Sequence, residues 1–210
     1  ETQAVRILTQ LFGTRLMVAN AMGCSRVWGG TFASNPYTIN ARGQGPAWGS
    51  SLFEDNAEFG FGMMTSTLIK RRNLATRVQR ILKDDSIPKS KELCASLQTW
   101  LENPRDADKC EACYDNCVRL LADEKKNHKE LALLEEVIDV MPKLTQWVIG
   151  GDGWAYDIGY GGVDHVLAQG EDINILVLDT EMYANTGGQQ SKATQMSAVA
   201  KFAAGGKRQM

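Results

Sequence analysis

Two apolar runs in this sequence are joined by a helical pattern, and each run ends in a cluster of polar residues. The run 146–149 leads directly into Gly150-Gly151-Asp152-Gly153, and the helical pattern follows from about Ala155 to Ala168. The second run, Ile173 to Leu178, ends in Asp179-Thr180-Glu181. Strands connected through a crossover helix are parallel, so their carboxyl ends meet at the same edge of a sheet. Because ligands bind at this edge, the two polar clusters are predicted to form one site.

These clusters carry the groups that a metal ion and a diphosphate require. Glycines on both sides of Asp152 let the backbone approach a bulky anion, and the free N–H groups of the following helix favour negative charge. The carboxylate of Asp152 and the oxygen atoms of the cluster around Thr180 are ligands that Mg²⁺ accepts alongside phosphate oxygens. The residues alone therefore predict a magnesium–diphosphate site. An ordinary turn containing Gly-Asp-Gly is the alternative.

The remaining pattern predicts an α/β fold, a mostly parallel sheet with flanking helices. An amphipathic helix that begins near Val5 precedes a buried strand at Leu16 to Ala19, and a glycine-rich loop runs from Cys24 to about Ser51. Residues 1–210 are predicted to form one domain with a helical insertion at about 64–144. The basic face of that insertion is interpreted as solvated helix surface, and its residues are Lys70, Arg71, Arg72, Arg77, Arg80 and Lys83.

Bulk composition excludes several classes of partner. The chain has 210 residues and a formal net charge of −2, without the clustered basic residues that nucleic-acid binding requires. It has no apolar run of about 18 residues, so we expect no membrane span. Its five cysteines are an odd number, which indicates a reducing, intracellular setting rather than a disulfide framework.

Three cysteines of the helical insertion share a spacing that admits two interpretations. Cys110, Cys113 and Cys117 fall on one face of a predicted helix. Three thiols on one face could bind zinc or an iron–sulfur cluster with an outside ligand. Free cysteine is also among the most buried residue types, so packing in a core is the favoured interpretation.

Longer strings around the polar clusters resemble the pyruvate:ferredoxin (flavodoxin) oxidoreductase family. These strings are 150–162 and 179–189, with further matches at 19–30 and 45–62. The Gly-Asp-Gly sequence, followed about 25 residues later by an Asp/Asn-type cluster, is similar to the thiamine diphosphate signature. The resemblance covers roughly 1–64 and 145–207. It implies a thiamine diphosphate-binding fold, present here as an incomplete domain.

The resemblance also implies roles for individual residues. Asp152 and Thr180 would bind Mg²⁺ through their side chains, and Met182 through its backbone carbonyl. Asn185 would lie near the reacting centre, and Cys24 would be one thiolate of a [4Fe–4S] cluster. The implied cofactor-binding set is Glu1, Cys24, Gly151, Asp152, Gly153, Trp154, Thr180, Glu181, Met182, Tyr183, Ala184 and Asn185.

The activity implied by the resemblance is the oxidative decarboxylation of pyruvate to acetyl-CoA and CO₂. Thiamine diphosphate, Mg²⁺ and [4Fe–4S] clusters would be the cofactors, and electrons would pass to ferredoxin or flavodoxin. Pyruvate, coenzyme A, the remaining domains of the parent enzyme and a second parent copy would be the partners. No nucleic acid or membrane is expected among them. The cytoplasm is the expected compartment, or an anaerobic organelle if the organism is eukaryotic.

We expect this chain to be a fragment that is inactive alone. The family has a Cys-x-x-Cys pair just before the position of Glu1, a further cluster cysteine beyond Met210, and an activating glutamate in an N-terminal domain. None of these lies within the 210 residues. The electron acceptor, the exact 2-oxoacid and the subunit arrangement stay open at this point.

Two other classes of function remain as alternatives. One is a different thiamine diphosphate-dependent 2-oxoacid decarboxylase or synthase, which would not need a cluster cysteine such as Cys24. The other is a non-catalytic interaction fragment that keeps the fold without the chemistry. The presence of Asp152, Thr180 and Asn185 argues against loss of the metal site.

Overall fold

The structure is a computed structural model that describes residues 1–31 and 35–208, and it divides into two compact units. Unit 1 comprises Glu1–Met64 and the chain from Thr145 onward, and unit 2 comprises Thr65–Leu144. Among the described residues, no helix combines the length and the apolar character that crossing a bilayer would demand.

The strands of unit 1 are β1 (Leu16–Ala21), β2 (Ala47–Ser51), β3 (Thr145–Gly151), β4 (Ile173–Leu178), β5 (Met182–Tyr183) and β6 (Gln189–Gln190). Unit 1 is built on a four-stranded parallel sheet with the strand order β2-β1-β3-β4. A small antiparallel pair, β5 and β6, follows the last of these strands. The fold is therefore α/β with a parallel sheet flanked by helices, as predicted, and it is consistent with a thiamine diphosphate-binding type of fold.

The central strands β1 and β3 are held under the start of a helix. All six residues of β1 are buried, as expected for a strand covered on both faces. The Asn56 side-chain amide donates to the carbonyl oxygens of Ala19 in β1, at 3.2 Å, and Ile149 in β3, at 3.4 Å. One side chain therefore binds the backbone of two neighbouring strands.

The helices of unit 1 cover this sheet. The 153–157 segment forms a π-helical turn before α7 (Tyr160–Ala168), so the single helix predicted from about Ala155 is wrong in its first part. A Cβ at Gly159, between the two elements, would lie 2.4 Å from the carbonyl oxygens of Phe53 and Trp154, so this position has no room for a side chain. The helices are α1 (Thr2–Phe12), α2 (Cys24–Gly30), the first part of α3 (Asn56–Lys83) and α7 (Tyr160–Ala168).

The predicted loop from Cys24 to about Ser51 is also wrong, since it contains α2 and β2. Helix α2 has only seven residues and two of them are glycine, which is too short for a recognisable helical period. Strand β2 reads Ala-Trp-Gly-Ser-Ser and has no β-branched residue, so it gives little strand signal.

Unit 2 is helical, and its helices begin at side-chain caps. The Ser90 hydroxyl accepts from the Leu93 N–H at 3.1 Å, and the Asp106 carboxylate accepts from the Lys109 N–H at 3.0 Å. Such caps satisfy N–H groups that have no partner within the helix. The helices are the second part of α3, α4 (Lys91–Glu102), α5 (Ala107–Glu124) and α6 (Lys129–Glu135), with short 3-10 turns at Lys125–Asn127 and Ile138–Val140.

The three clustered cysteines lie in the core of unit 2. Cys110, Cys113 and Cys117 are buried on the inner face of α5 among leucine and isoleucine side chains. Burial, followed by the neighbouring Cys113, raises the pKa of Cys117 to about 12, so this thiol stays protonated at neutral pH. Their position agrees with the interpretation of these residues as core packing.

Arg71 does not belong to the predicted solvated face. Its guanidinium donates to the carbonyl groups of residues 140–142 and of Pro104. It also lies 5.5 Å from the centre of the Trp100 ring, within cation–π distance. Arg71 therefore joins α3 to two segments that end other helices of unit 2, and its interpretation as solvated surface is wrong.

We expect Arg71→Ala to lower the free energy of unfolding by about 3 kcal/mol, because several carbonyl groups lose a charged donor together. Arg71→Lys should recover only part of this, since an ammonium cannot reproduce the planar fork of the guanidinium. Urea denaturation followed by circular dichroism measures both. Arg72→Ala, at the exposed neighbouring position, is the control and should change stability by less than about 0.5 kcal/mol. A loss at Arg71 no larger than this would contradict the assignment.

Two glycines of α3 should respond to alanine with opposite signs. A Cβ at Gly60 would lie 2.5 Å from Val148 Cγ2 and 3.0 Å from Ala19 Cβ, whereas a Cβ at Gly62 meets nothing within 4 Å. Gly60→Ala should therefore lower the free energy of unfolding by roughly 1–3 kcal/mol through overpacking. Gly62→Ala should raise it by roughly 0.5–1 kcal/mol through helix propensity. Thermal and urea denaturation compare the two, and equal effects would refute the close approach of α3 to the sheet.

Candidate cofactor site

A cavity of about 260 Å³ opens in unit 1 where β1, β3 and β4 end. Residues within two positions of each strand end line it, including Gly23 after β1, Asp152 after β3 and Thr180 after β4. The structure thus brings the two predicted polar clusters to one cavity. The predicted site residues in its wall are Glu1, Cys24, Gly151, Asp152, Gly153, Thr180, Met182, Tyr183, Ala184 and Asn185.

Two residues of the predicted set do not line the cavity. The Trp154 side chain is fully buried in the core beside the sheet, where a Cβ at Gly150 would lie 2.5 Å from its ring. The Glu181 carboxylate accepts from the Gln195 amide at 3.1 Å. The wall also contains residues that sequence reasoning did not select, most of them apolar or small: Met22, Gly23, Ser25, Phe53, Ile158, Leu178 and Thr186.

The Asp152 carboxylate is buried and hydrogen-bonded from two sides. It is only 3% exposed, and both of its oxygen atoms accept hydrogen bonds. The Thr180 N–H donates to Oδ1 at 2.9 Å, and the Ser191 hydroxyl donates to Oδ2 at 2.7 Å. The first of these bonds joins the ends of β3 and β4 across 28 positions of sequence.

The other two predicted Mg²⁺ ligands lie next to this carboxylate. The Thr180 hydroxyl donates to the Met182 carbonyl at 3.1 Å, so the two oxygen atoms are already close together. A carboxylate, a hydroxyl and a carbonyl are hard oxygen donors, and this set suits Mg²⁺. Within the described ranges 1–31 and 35–208, no group of three or more His, Cys, Asp or Glu side chains is arranged to hold a metal. The predicted Mg²⁺ ligands are one carboxylate, one hydroxyl and one backbone carbonyl, so they do not form such a group.

A strained residue turns the chain between Thr180 and Met182. Glu181 has φ 61°, a left-handed conformation that non-glycine residues adopt only when their surroundings hold them there. Its N–H donates to Asp179 Oδ1 at 2.9 Å, and its carbonyl accepts from the Thr194 hydroxyl. The Glu181 backbone therefore turns the chain between Thr180 and Met182, while Glu181 itself does not line the cavity.

Two tyrosines connect the π-helical turn to the loop after β4. The Tyr183 hydroxyl donates to the Asp157 carboxylate, and the Tyr156 hydroxyl donates to Asp179 at 3.1 Å. The Tyr183 ring lies so close to Gly153 that a Cβ there would be 2.9 Å from it. Burial, followed by the Asp157 carboxylate, raises the pKa of Tyr183, which therefore stays protonated as a hydrogen-bond donor.

Cys24 brings a thiol to the same cavity, at the start of α2. Burial raises its pKa, and the negative charge of Glu1 adds to this effect. The Trp28 indole donates to the Glu1 carboxylate at 2.9 Å and holds it at the cavity. The other four cysteines of the chain belong to unit 2.

Curated proteins resemble this chain along nearly its whole length, although no protein-family model matches it. A pyruvate:ferredoxin oxidoreductase of Moorella thermoacetica is 51% identical over 212 residues, which cover 99% of this chain and 18% of that protein. A pyruvate-flavodoxin oxidoreductase of Klebsiella pneumoniae is 50% identical over 208 residues, with the same coverage of both proteins. A mitochondrial pyruvate dehydrogenase [NADP(+)] of Euglena gracilis is 50% identical over 208 residues, covering 99% of this chain and 11% of that protein.

These relatives are oxidoreductases that act on pyruvate, by their names. The predicted resemblance is confirmed: the chain is homologous to a segment of the pyruvate:ferredoxin and pyruvate-flavodoxin oxidoreductases. It spans less than a fifth of the length of the three relatives described above. The similarity also extends through unit 2, beyond the ranges 1–64 and 145–207 that the motifs suggested, because helical patterns carry fewer distinctive strings than a ligand site does.

The coupling between Glu1 and Cys24 can be tested by alkylation. Because the Glu1 charge raises the Cys24 pKa, Glu1→Gln should lower it and increase the thiolate fraction at pH 8. We expect iodoacetamide to modify Cys24 roughly twofold faster in this variant, measured by mass spectrometry of the Cys24 peptide against Cys94 in the same sample. Glu171→Gln, which neutralises an exposed carboxylate of unit 1, is the control. An unchanged Cys24 rate in Glu1→Gln would contradict the coupling.

Proposed function

We propose that this chain binds the diphosphate and Mg²⁺ of thiamine diphosphate within an enzyme that oxidatively decarboxylates pyruvate to acetyl-CoA and CO₂. The observation that carries this proposal is the hydrogen bond from the Thr180 N–H to the Asp152 carboxylate in the cavity wall. It brings a carboxylate, a hydroxyl and a carbonyl to one point at the carboxyl edge of a parallel sheet. The similarity to pyruvate oxidoreductases supports the same function.

Different residues of the cavity wall would bind Mg²⁺, bind the diphosphate and take part in catalysis. Asp152, Thr180 and the Met182 carbonyl would hold Mg²⁺, and the backbone of 151–153 would accommodate the diphosphate. Thiamine diphosphate, when bound, supplies the electron sink for loss of CO₂ from a 2-oxoacid. Asn185 is a proposed catalytic residue, because it belongs to the cavity wall and its amide can donate and accept hydrogen bonds.

The apolar part of the wall would keep water away from the reacting atoms. Met22, Phe53, Ile158 and Leu178 present hydrocarbon and aromatic groups to the cavity. Removing water strengthens the electrostatic interactions inside a site and suppresses side reactions. The Tyr183 ring, fixed by the Asp157 carboxylate, would close the wall beside Gly153.

Cys24 favours electron transfer over a simple decarboxylase or synthase. We propose that its thiolate is one of the four that hold a [4Fe–4S] cluster, the other three coming from residues outside this chain. The raised pKa of Cys24 does not prevent it from binding iron as a thiolate, because metal binding deprotonates a coordinating thiol. A synthase-type enzyme would have no use for a cysteine in the same cavity as the predicted metal ligands.

The choice of electron acceptor is proposed to lie elsewhere in the parent enzyme. The names of the relatives contain ferredoxin, flavodoxin and NADP(+), yet all three are 50–51% identical to this chain. If this segment selected the acceptor, its sequence would be expected to be more similar to the relatives that use one particular acceptor. Ferredoxin or flavodoxin, coenzyme A, the remaining domains and a second parent copy are therefore proposed as partners of the whole enzyme.

Isothermal titration with thiamine diphosphate tests the cofactor role. We expect saturable binding that requires Mg²⁺ and disappears with EDTA. Asp152→Asn keeps the side-chain shape but removes the charge, and it should weaken Mg²⁺-dependent binding at least roughly tenfold. Asp85→Asn, at an exposed position of unit 2, should bind like the wild type. Binding that is absent from a folded wild-type chain, or unaffected by Asp152→Asn, would overturn the proposal.

A further inference from the structure

A short turn, residues 191–194, lies behind the candidate metal site. Ser191 is 4% exposed and Thr194 is 6% exposed, and neither belongs to the cavity wall. Their hydroxyl groups nevertheless both donate hydrogen bonds into the segments that carry the predicted Mg²⁺ ligands. The turn therefore contacts Asp152 and Glu181 from outside the cavity.

Ser191 holds the buried carboxylate. Its hydroxyl donates to Asp152 Oδ2 at 2.7 Å, while Oδ1 accepts from the Thr180 N–H at 2.9 Å. A carboxylate bound at only one oxygen can rotate about its Cβ–Cγ bond. Hydrogen bonds at both oxygen atoms fix its plane, and with it the direction of the remaining lone pairs.

Thr194 holds the other side of the site. Its hydroxyl donates to the carbonyl of Glu181, the residue at positive φ between Thr180 and Met182. The same hydroxyl oxygen accepts from the Ser191 N–H at 2.8 Å, so the two side chains act as one unit. One turn therefore fixes the carboxylate and also the backbone that presents the hydroxyl and carbonyl ligands.

The turn itself is held by a lysine. The Lys207 ammonium donates to the carbonyl groups of Ser191, Lys192 and Thr194, at 3.0, 2.6 and 2.6 Å. An ammonium group has three donors, and these three bonds use all of them. The carbonyl groups of the turn are thereby kept from reorienting toward solvent.

We propose that Ser191 and Thr194 are positioning residues that give the site its preference for Mg²⁺. This inference rests on the proposed function. Mg²⁺ requires near-ideal octahedral geometry, whereas Ca²⁺ accepts flexible and irregular coordination. A carboxylate that is free to rotate would therefore lose more affinity for Mg²⁺ than for Ca²⁺. Loss of a partner that orients a ligand typically weakens metal binding by 10–100-fold.

The test is titration of the 210-residue chain with Mg²⁺ and, separately, with Ca²⁺, at a constant concentration of thiamine diphosphate. We expect Ser191→Ala to weaken Mg²⁺ binding by about 10–100-fold and Ca²⁺ binding by a clearly smaller factor. Thr194→Val removes the second hydroxyl at nearly constant volume and should shift the preference in the same direction. It keeps the test decisive if Ser191→Ala does not fold.

The matched control is Ser51→Ala. Ser51 also donates its hydroxyl to a carboxylate, that of Asp55, within unit 1 but outside the cavity wall. Its loss should leave the ratio of Mg²⁺ to Ca²⁺ affinity unchanged. Thermal unfolding of all variants, with circular dichroism, measures any general effect on the fold.

The outcomes separate this inference from the proposed function. Wild-type affinities in both Ser191→Ala and Thr194→Val would overturn the positioning role and leave the cofactor site intact. An equal loss for both cations, with a lower unfolding midpoint, would also overturn it, because support of the fold does not discriminate between cations. A wild-type chain that binds no better than Asp152→Asn would overturn the proposed function, and the inference with it.

Discussion

The burial of the Asp152 carboxylate is the constraint on which the geometry of this site depends. A buried charge without partners costs several kcal/mol, so the fold must supply hydrogen bonds to it. It does so from Thr180 after β4 and from Ser191, 39 residues away in sequence. The sheet already places the ends of β3 and β4 side by side, and the bond from Ser191 attaches a third segment, outside the sheet, to the same carboxylate.

The glycines around this carboxylate are required by the packing of neighbouring side chains as well as by the predicted diphosphate. A side chain at Gly150 would collide with Trp154 and Ala21, and one at Gly153 would collide with the Tyr183 ring. Gly151 has only the Leu178 carbonyl near it, at 3.6 Å. Neighbouring aromatic rings therefore leave no room for a side chain at Gly150 and Gly153. At Gly151 no ring is close, and the residue lines the cavity.

The parts of the structure that follow from local pattern were predictable from the sequence. Strand β4 has the predicted bounds, and the wall of the cavity contains most of the predicted residues. The bounds of β4 follow from its apolar run, and the composition of the wall follows from the rule that parallel strands end at the same edge. Trp154 departs from that rule, because its ring is fully buried in the core beside the sheet.

The parts that sequence did not predict depend on contacts between distant residues. Nothing local distinguishes Arg71 from its basic neighbours, and only the folded unit 2 brings the carbonyl groups of distant residues to it. Ser191 and Lys207 resemble ordinary loop residues for the same reason. Short elements such as α2 and β2 were not predicted, because a few residues are too short a stretch to show the hydrophobic periodicity of a helix or a strand.

The place of unit 2 in the chain also affects the order of folding. Strand β1 ends at Ala21, but its partner β3 begins at Thr145, so the centre of the sheet closes a loop of about 120 residues. Unit 2 occupies about 80 of these residues and consists of helices joined by short connections. Local contacts form fastest, so we expect unit 2 to fold first and to shorten the flexible chain that remains. The helical insertion would then lower the entropic cost of closing the sheet whose edge carries the cavity.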